Sequence, residues 1–377
     1  ININALKKLG SIYLEQGNID DAASVFDELF EVLRIEIEID TRILEFEKKK
    51  HGKKDFRFPE LNRRFEMILR NHRRLLLNHD EIYVKLRALK EKELQDKFYR
   101  SFTEELSEFR KKLNDRLSLY DDLQKSSSVR FTREEVAVMK NVREIDLNDY
   151  FWSIYREGKL HRDYNDIKSV EEVFGEWFNS SFTGSDPEKN IVLWNILSDY
   201  YWELGFREKL HDFLEQVIDQ TGADPRFKVK KSVFYFLEKD YKQSSAIIVS
   251  HSKDITDFSS YNLISESFSE KNQRIIADYF LFISDFDSKN RFDLLQQSGL
   301  IYAQSFKDYS SAKKVFNKLI EFYPDSYKGY FSLGSVYFIE GKYPETLKNW
   351  EKALELAPEN KELQNNVRLI KERLKEK

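Results

Sequence analysis

The sequence predicts an all-α chain assembled from helical repeats around a long helical insert. Three observations predict it. Gly (12) and Pro (6) make up only 18 of 377 residues, where average usage would give about 45, and neither occurs in 60–157 or 226–298. Sheets joined by tight turns need these residues at most turns. Long stretches place apolar residues at helical spacing, and the two ends share one pattern. Helix is therefore expected over more than about 65% of the chain, with no sheet of three or more strands.

Residues 1–34 form the first unit, with Leu9-Gly10-Ser11-Ile12-Tyr13 followed by Gly17, Ala22, Phe26 and Leu29. Near the other end stand Leu333-Gly334-Ser335-Val336-Tyr337, then Gly341, Tyr343, Trp350, Ala353 and Pro358. Both read L-G-x-x-Y, a Gly four residues on, and an aromatic nine residues after that Gly. This pattern resembles the tetratricopeptide repeat, a helix–turn–helix unit of about 34 residues. The resemblance implies that the first Gly lets two helices approach closely, that the aromatics fill their seam, and that the second Gly makes the turn. One such pair cannot bury its apolar face alone, so pairs stack into a superhelix with a concave surface.

Residues 35–125 do not repeat and are expected to form a basic helical insert. Apolar positions run Leu61, Phe65, Ile68, His72, Leu75, His79, Ile82, Leu86, Leu89, the 4-3 alternation of a coiled-coil seam. His72 and His79 then read as polar interruptions that set register. The stripe continues through Leu94, Phe98, Phe102, Leu106, Phe109, Leu113, Leu117 and Tyr120 with wider spacing. One helix, or a hairpin folded near Asn78–Asp80 or Ser101, satisfies it equally, and the narrow stripe would allow self-association. The hairpin form is expected to project as a separate, electrostatic surface.

Residues 126–186 read as linking helices. Thr132-Arg133-Glu134-Glu135 and Ser169-Val170-Glu171-Glu172 both have the form of capping boxes. Stepping by the period through 187–358 gives degenerate units starting near 191, 225, 258, 292 and 327. In the fourth, Gly299-Leu300-Ile301-Tyr302 falls one residue out of phase with Tyr309, Ala312 and Phe316, which an extra turn residue would explain. Residues 359–377 close the array as a capping helix, with Leu363, Val367, Ile370 and Leu374 on one face and Lys, Arg and Glu on the other.

Composition narrows the chemistry. The absence of cysteine removes disulfides, thiolate zinc sites, iron–sulfur clusters and cysteine nucleophiles. No apolar run approaches the roughly 20 residues of a membrane-spanning helix. The chain begins at Ile1 rather than Met, so a trimmed leader or domain is expected. His161-Arg162-Asp163 resembles a kinase catalytic loop but has Lys168 where that motif needs Asn. Phosphate-binding-loop, nucleophile-elbow and zinc-protease motifs are missing. No enzymatic activity, cofactor or metal is expected.

Charge is uneven. Residues 42–100 hold 18 Lys+Arg against 10 Asp+Glu, so this segment is +8 and the remainder of a chain of net charge −4 is −12. The excess lies in 48–74, which includes Lys48, Lys49, Lys50, Lys53, Lys54, Arg57, Arg63 and Arg64. These residues form a candidate basic surface for an acidic protein, an acidic surface or nucleic acid. The whole-chain pI of about 6.0 favours acidic protein over nucleic acid.

The family resemblance implies a second surface, the concave groove, faced by Asn195, Asp199 and Trp202, by Lys230, Val233 and Phe236, by Asn262, Glu266 and Ser269, and by Phe331, Ser335 and Phe338. Some relatives clamp a peptide's terminal carboxylate with a Lys and an Asn from successive repeats. The matching positions here are Lys7 and Ser11, then Asn195 and Asp199, so the clamp pattern is incomplete. The functional expectation is a non-catalytic scaffold or adaptor that binds protein partners in a multiprotein complex, with binding of anionic partners through the basic insert as the alternative. Composition and architecture also resemble the periplasmic flagellar collar scaffolds of spirochaetes, which implies a bacterial, periplasmic setting in preference to a cytoplasmic one.

Overall fold

A computed structural model describes residues 2–51, 58–89, 92–125, 132–180, 187–222, 224–267 and 273–375. Helix covers 85% of the described residues, and no strand occurs among them. The chain divides into two compact units, Ile1–Leu193 and Trp194–Lys377.

The first unit holds α1 (Ile3–Glu15), α2 (Ile19–His51), α3 (Phe58–Leu89), α4 (Lys92–Lys125), α5 (Arg133–Asp163) and α6 (Ile167–Phe178), and α7 (Pro187–Glu203) begins in it. The sequence expectation of a projecting coiled-coil-like insert is corrected here. Helix α2 passes residue 34 without a break, so the first hairpin and the insert are continuous. The insert is a hairpin, folded between Leu89 and Lys92 rather than near Asn78 or Ser101. Its two helices run antiparallel, with Gln95 near Leu86, Glu105 near His72 and Tyr120 near Asn62. It does not project as a separate two-helix coil. α3 packs on α2 and α4 on α5, so the helices form two layers, α1, α3 and α5 in one and α2, α4 and α6 in the other.

The reason is the width of the apolar stripe. Leu75, Ile82 and Leu86 of α3 join Phe26, Phe30 and Leu33 of α2 and Phe98 of α4 in one buried cluster. A seam shared among three helices must be broader than a coiled coil's a/d stripe, and the drifting spacing along α4 reflects this. Residues that could have served self-association, among them Phe102, Leu106, Phe109 and Leu113, are fully buried within the chain.

The second unit holds the C-terminal part of α7 and helices α8 (Arg207–Gln220), α9 (Pro225–Leu237), α10 (Tyr241–Ser250), α11 (Asn262–Ser267), α12 (Gln273–Ile283), α13 (Arg291–Gln304), α14 (Tyr309–Phe322), α15 (Tyr327–Ile339), α16 (Tyr343–Leu356) and α17 (Lys361–Lys375), with a 3-10 turn over Phe258–Tyr261 ahead of α11. Leu363, Val367 and Ile370 of α17 are buried, the last two with Trp350.

One turn recurs in both units. In α1–α2, α5–α6, α7–α8, α9–α10 and α15–α16, an N–H bonds back five residues, to the carbonyl of Tyr13, His161, Tyr201, Tyr235 and Tyr337 in turn. The residue before that N–H is left-handed: Gly17, Asn165, Gly205, Lys239 and Gly341. This is the helix-ending motif in which glycine carries no steric cost. In α13–α14 the bond spans six residues, from Asp308 N–H to the Tyr302 carbonyl, with Lys307 left-handed. The extra turn residue inferred from the phase shift is therefore present.

Hairpin α5–α6 is a repeat-like pair where the sequence suggested linking helices. Gly158 and Phe174 are in contact, as are Gly10 and Phe26, Gly299 and Phe316, and Gly334 and Trp350. The Thr132 capping box opens α5 as expected. The box proposed at Ser169 is displaced: Asp166 caps α6, accepting the Ser169 N–H at 3.1 Å, because this turn already delivers the chain into helix at Ile167.

Candidate functional site

The predicted groove residues separate into two groups. Those on α7 and α9 bind one another. The Lys230 ammonium is buried and donates to the Asn195 carbonyl at 2.9 Å and to the Asn195 side-chain oxygen, and it pairs with Asp199 at 2.8 Å. The polar set that the resemblance places in the groove thus acts as an internal clasp between two helices. Burying an ammonium requires such partners. Trp202 stacks on Phe234 at 5.1 Å and lies beneath the Arg207 guanidinium at 3.4 Å. Val233 is core, and Phe236 packs on Tyr241, Tyr279 and Phe282. Asn262 is exposed. The side chains of Glu266 and Ser269 fall outside the described residues.

The second group makes a cleft. Phe331, Ser335 and Phe338 of α15 line a cavity of about 820 Å³ with Leu369, Ile370 and Arg373 of α17. Trp350 of α16 floors it, stacked on Phe338 at 5.5 Å and donating its indole N–H to the Phe331 carbonyl at 3.2 Å. The Arg373 guanidinium lies over Tyr343 at 4.7 Å. Phe338 is 39% exposed, Ile339 57% and Leu369 54%. Three large apolar side chains thus face solvent beside a concavity whose base is aromatic. Exposed apolar surface of this kind marks an interaction site. Ile339 and Leu369 were not read from the sequence. Leu369 sits one residue off the buried stripe of α17, and that offset is its only signal.

Most of the predicted basic surface, Lys48, Lys49, Lys50, Lys53, Lys54 and Arg57, lies outside the residues whose side chains are described. Arg63 is exposed on α3, and Arg64 beside it is half-buried. Further along α3 a second cleft opens, about 800 Å³, lined by Arg70, Arg74 and Leu77 with Lys7 of α1.

The two histidines of the α3 stripe differ. His72 bonds Glu105 at 3.1 Å, and Arg34 bonds the same carboxylate at 2.6 Å. Burial pulls His72 below its ordinary value. Burial pushes the Glu105 carboxyl up, but the His72 and Arg34 hydrogen bonds outweigh it and hold it at about 2. His79 is fully buried between the rings of Phe30 (3.7 Å) and Phe102 (5.3 Å), and neither ring nitrogen has a hydrogen-bond partner. Burial, with Arg34 and His72 adding to it and Glu105 opposing it, pulls His79 down to about 3.

A histidine depressed in the fold takes up its proton first in the unfolded chain. Stability is therefore full above about pH 6.5 and falls as pH drops toward the folded value. His79 alone should cost about 2–3 kcal/mol by about pH 4.5. His79→Phe should remove that loss, leaving the smaller acid sensitivity of His72 and Glu105. Urea midpoints of the two proteins at neutral and acid pH check this; parallel pH profiles would refute it.

A tetratricopeptide repeat family model matches residues 293–326, which cover most of α13 and all of α14. Among solved structures, the TPR domain of P58(IPK) is similar at 12% identity over 100% of this chain and 99% of that one, with a TM-score of 0.25. Yeast Tom70 is similar at 11% identity over 99% of this chain and 96% of that one, with a TM-score of 0.23. A circular tandem repeat protein with novel repeat topology is similar at 14% identity over 99% of this chain and 87% of that one, with a TM-score of 0.26. Comparison with curated proteins gives no match. Among the described residues, no helix is long and apolar enough to cross a membrane.

Proposed function

We propose that this chain, whose helical array contains a tetratricopeptide repeat, is a non-catalytic scaffold that holds protein partners in a multiprotein complex. Proteins of this repeat type generally mediate protein–protein interactions. The observation that carries the proposal is the C-terminal cleft, where Phe338, Ile339 and Leu369 stay exposed beside the Trp350 floor. A partner that fills it completes the burial of these half-exposed side chains, each worth about 1 kcal/mol, or roughly half of the 1.5–3 kcal/mol for full burial.

The finer setting belongs to the same proposal. The composition, rich in Lys, Ile, Phe, Tyr, Ser and Asn and poor in Gly and Pro, together with the repeat architecture, supports a bacterial scaffold of the periplasmic flagellar apparatus, which cell fractionation of the native host would test. Leu369→Asp alters a side chain already in contact with water, whereas Phe338→Asp also removes a ring stacked on Trp350, so circular dichroism melts first confirm that each variant is folded. Together they are expected to weaken capture of the native partner about tenfold or more, as loss of a central apolar anchor does. Affinity purification from the native host with each variant checks this. Capture unchanged by both would show that the cleft is not the docking surface.

A further inference from the structure

We propose that the cleft on the first unit is a second docking surface, and that its occupant is an acidic amphipathic helical segment of a protein partner. The inference rests on the scaffold reading and adds the chemistry of one partner. Met67, Arg70, Arg74, Leu77 and Glu81 line the cleft from α3, and Lys7 lines it from α1. Their spacing of 3, 4, 3 and 4 puts the α3 residues on one stripe. The side of α3 that meets α2 and α4 is apolar and buried; this stripe is its solvent side.

The stripe has an order. Met67 and Leu77 are 37% and 61% exposed, and ten residues of helix separate them by about 15 Å. Between them stand two guanidinium groups. Arg70 is exposed and has no ion pair among the described residues. Arg74 has one long contact, 3.7 Å to Glu36. The neighbouring Arg73 also lines the cleft but is engaged by Asp149 at 2.5 Å and Glu66 at 2.9 Å. Lys7 pairs with Glu81 across the cleft mouth. With Lys7 and Arg73 engaged by carboxylates, the cations that the cleft offers are Arg70 and, past its long contact to Glu36, Arg74.

An apolar anchor, two cations and a second apolar anchor on one helix face match a segment with the complementary order of apolar, acidic, acidic and apolar. An amphipathic helix laid in a groove presents its anchors at this spacing. Nucleic acid fits less well, since the exposed Met67 and Leu77 would meet phosphate or water. Arginine is suited to the carboxylates because its planar fork donates to both of their oxygens at once.

The probe is a fluorescein-labelled helical peptide of Leu, Glu and Ala, with leucines ten residues apart and glutamates between them on the same face. Its Gln-for-Glu counterpart and a single-stranded oligonucleotide of similar length are the comparisons. Binding to the full-length protein is read by fluorescence anisotropy. The acidic peptide should bind, and its affinity should fall as salt rises from about 0.05 M to about 0.3 M. Arg70→Glu and Leu77→Asp should each weaken it about tenfold, while Arg70→Lys should keep most of it. Neither side chain has an ion pair among the described residues, and circular dichroism melts confirm that each variant is folded. Equal binding of the Gln peptide, tighter binding of the oligonucleotide, or no effect of Arg70→Glu would each overturn the inference. If native capture depends on Phe338 and not on Arg70, the scaffold reading stands and this one falls. If native capture depends on Arg70 and not on Phe338 or Leu369, the C-terminal cleft is not the docking surface and this inference stands; capture that needs neither cleft overturns both.

Discussion

Replacing Gly334 by tryptophan should destabilise the C-terminal hairpin by at least about 3 kcal/mol and abolish the cleft it supports. A Cβ at residue 334 would lie 2.5 Å from Cδ1 and 2.7 Å from Nε1 of Trp350, and 3.2 Å from the Asn349 Cβ. Real carbon atoms do not approach so closely, and Trp350 is held in place by stacking on Phe338 and by its bond to the Phe331 carbonyl. Overpacking by a methylene or two already costs roughly 1–3 kcal/mol, so even Gly334→Ala should be felt. An indole cannot be housed without separating α15 from α16. The effect should reach function, because the same Trp350 floors the cleft. Thermal unfolding followed by circular dichroism gives the loss, and hydrogen exchange should localise it to α15–α17. An unchanged melting curve would mean that the two helices do not meet at residue 334.

That contact was legible in the sequence because a glycine and an aromatic stand sixteen residues apart in a full consensus frame. The same spacing separates Gly158 from Phe174, yet α5–α6 was read as linking helices. Two substitutions hid it. His161 occupies the place of the tyrosine found in the other turns, and Asn165 replaces the turn glycine. Asparagine tolerates the left-handed region better than most residues, so the turn survives while its signature is lost. Lys239 and Lys307 take the same left-handed position in α9–α10 and α13–α14, but there the repeat period still located the units. The insert misled for a different reason. A 4-3 apolar alternation is what a two-helix coil needs, but α3 uses it to meet neighbours on two sides. Of the site, the aromatics of α15 were visible by repeat position. The internal engagement of Lys230 was not, because whether a groove lysine meets a ligand or a neighbouring carboxylate depends on how two helices settle against each other.

The second large effect is expected at Asp146. Arg116 of α4 and Asp146 of α5 are both fully buried, and the guanidinium engages both carboxylate oxygens, with Nε donating at 2.7 Å. Around them Arg116 also reaches Glu66 at 3.1 Å, and Arg73 bonds Glu66 and Asp149. Burial pushes the Asp146 carboxyl up from its ordinary value, with Arg116 pulling it back. Desolvation and attraction therefore nearly offset, and the pair is a weak source of net stability. Breaking it is another matter. Asp146→Ala would leave a buried guanidinium without its main partner and should cost about 3–5 kcal/mol. Glu66, half-exposed and at one nitrogen only, cannot replace the bidentate pair. Replacing both partners, as Arg116→Met with Asp146→Leu, removes the charge and its desolvation together. The double variant should therefore lie much closer to the wild type than Asp146→Ala does. A double-mutant cycle by urea denaturation measures the coupling. If the double variant is as unstable as the sum of the single ones, Arg116 and Asp146 do not act as a pair. The ion pair would then hold the register of α4 on α5 no better than any two independent side chains.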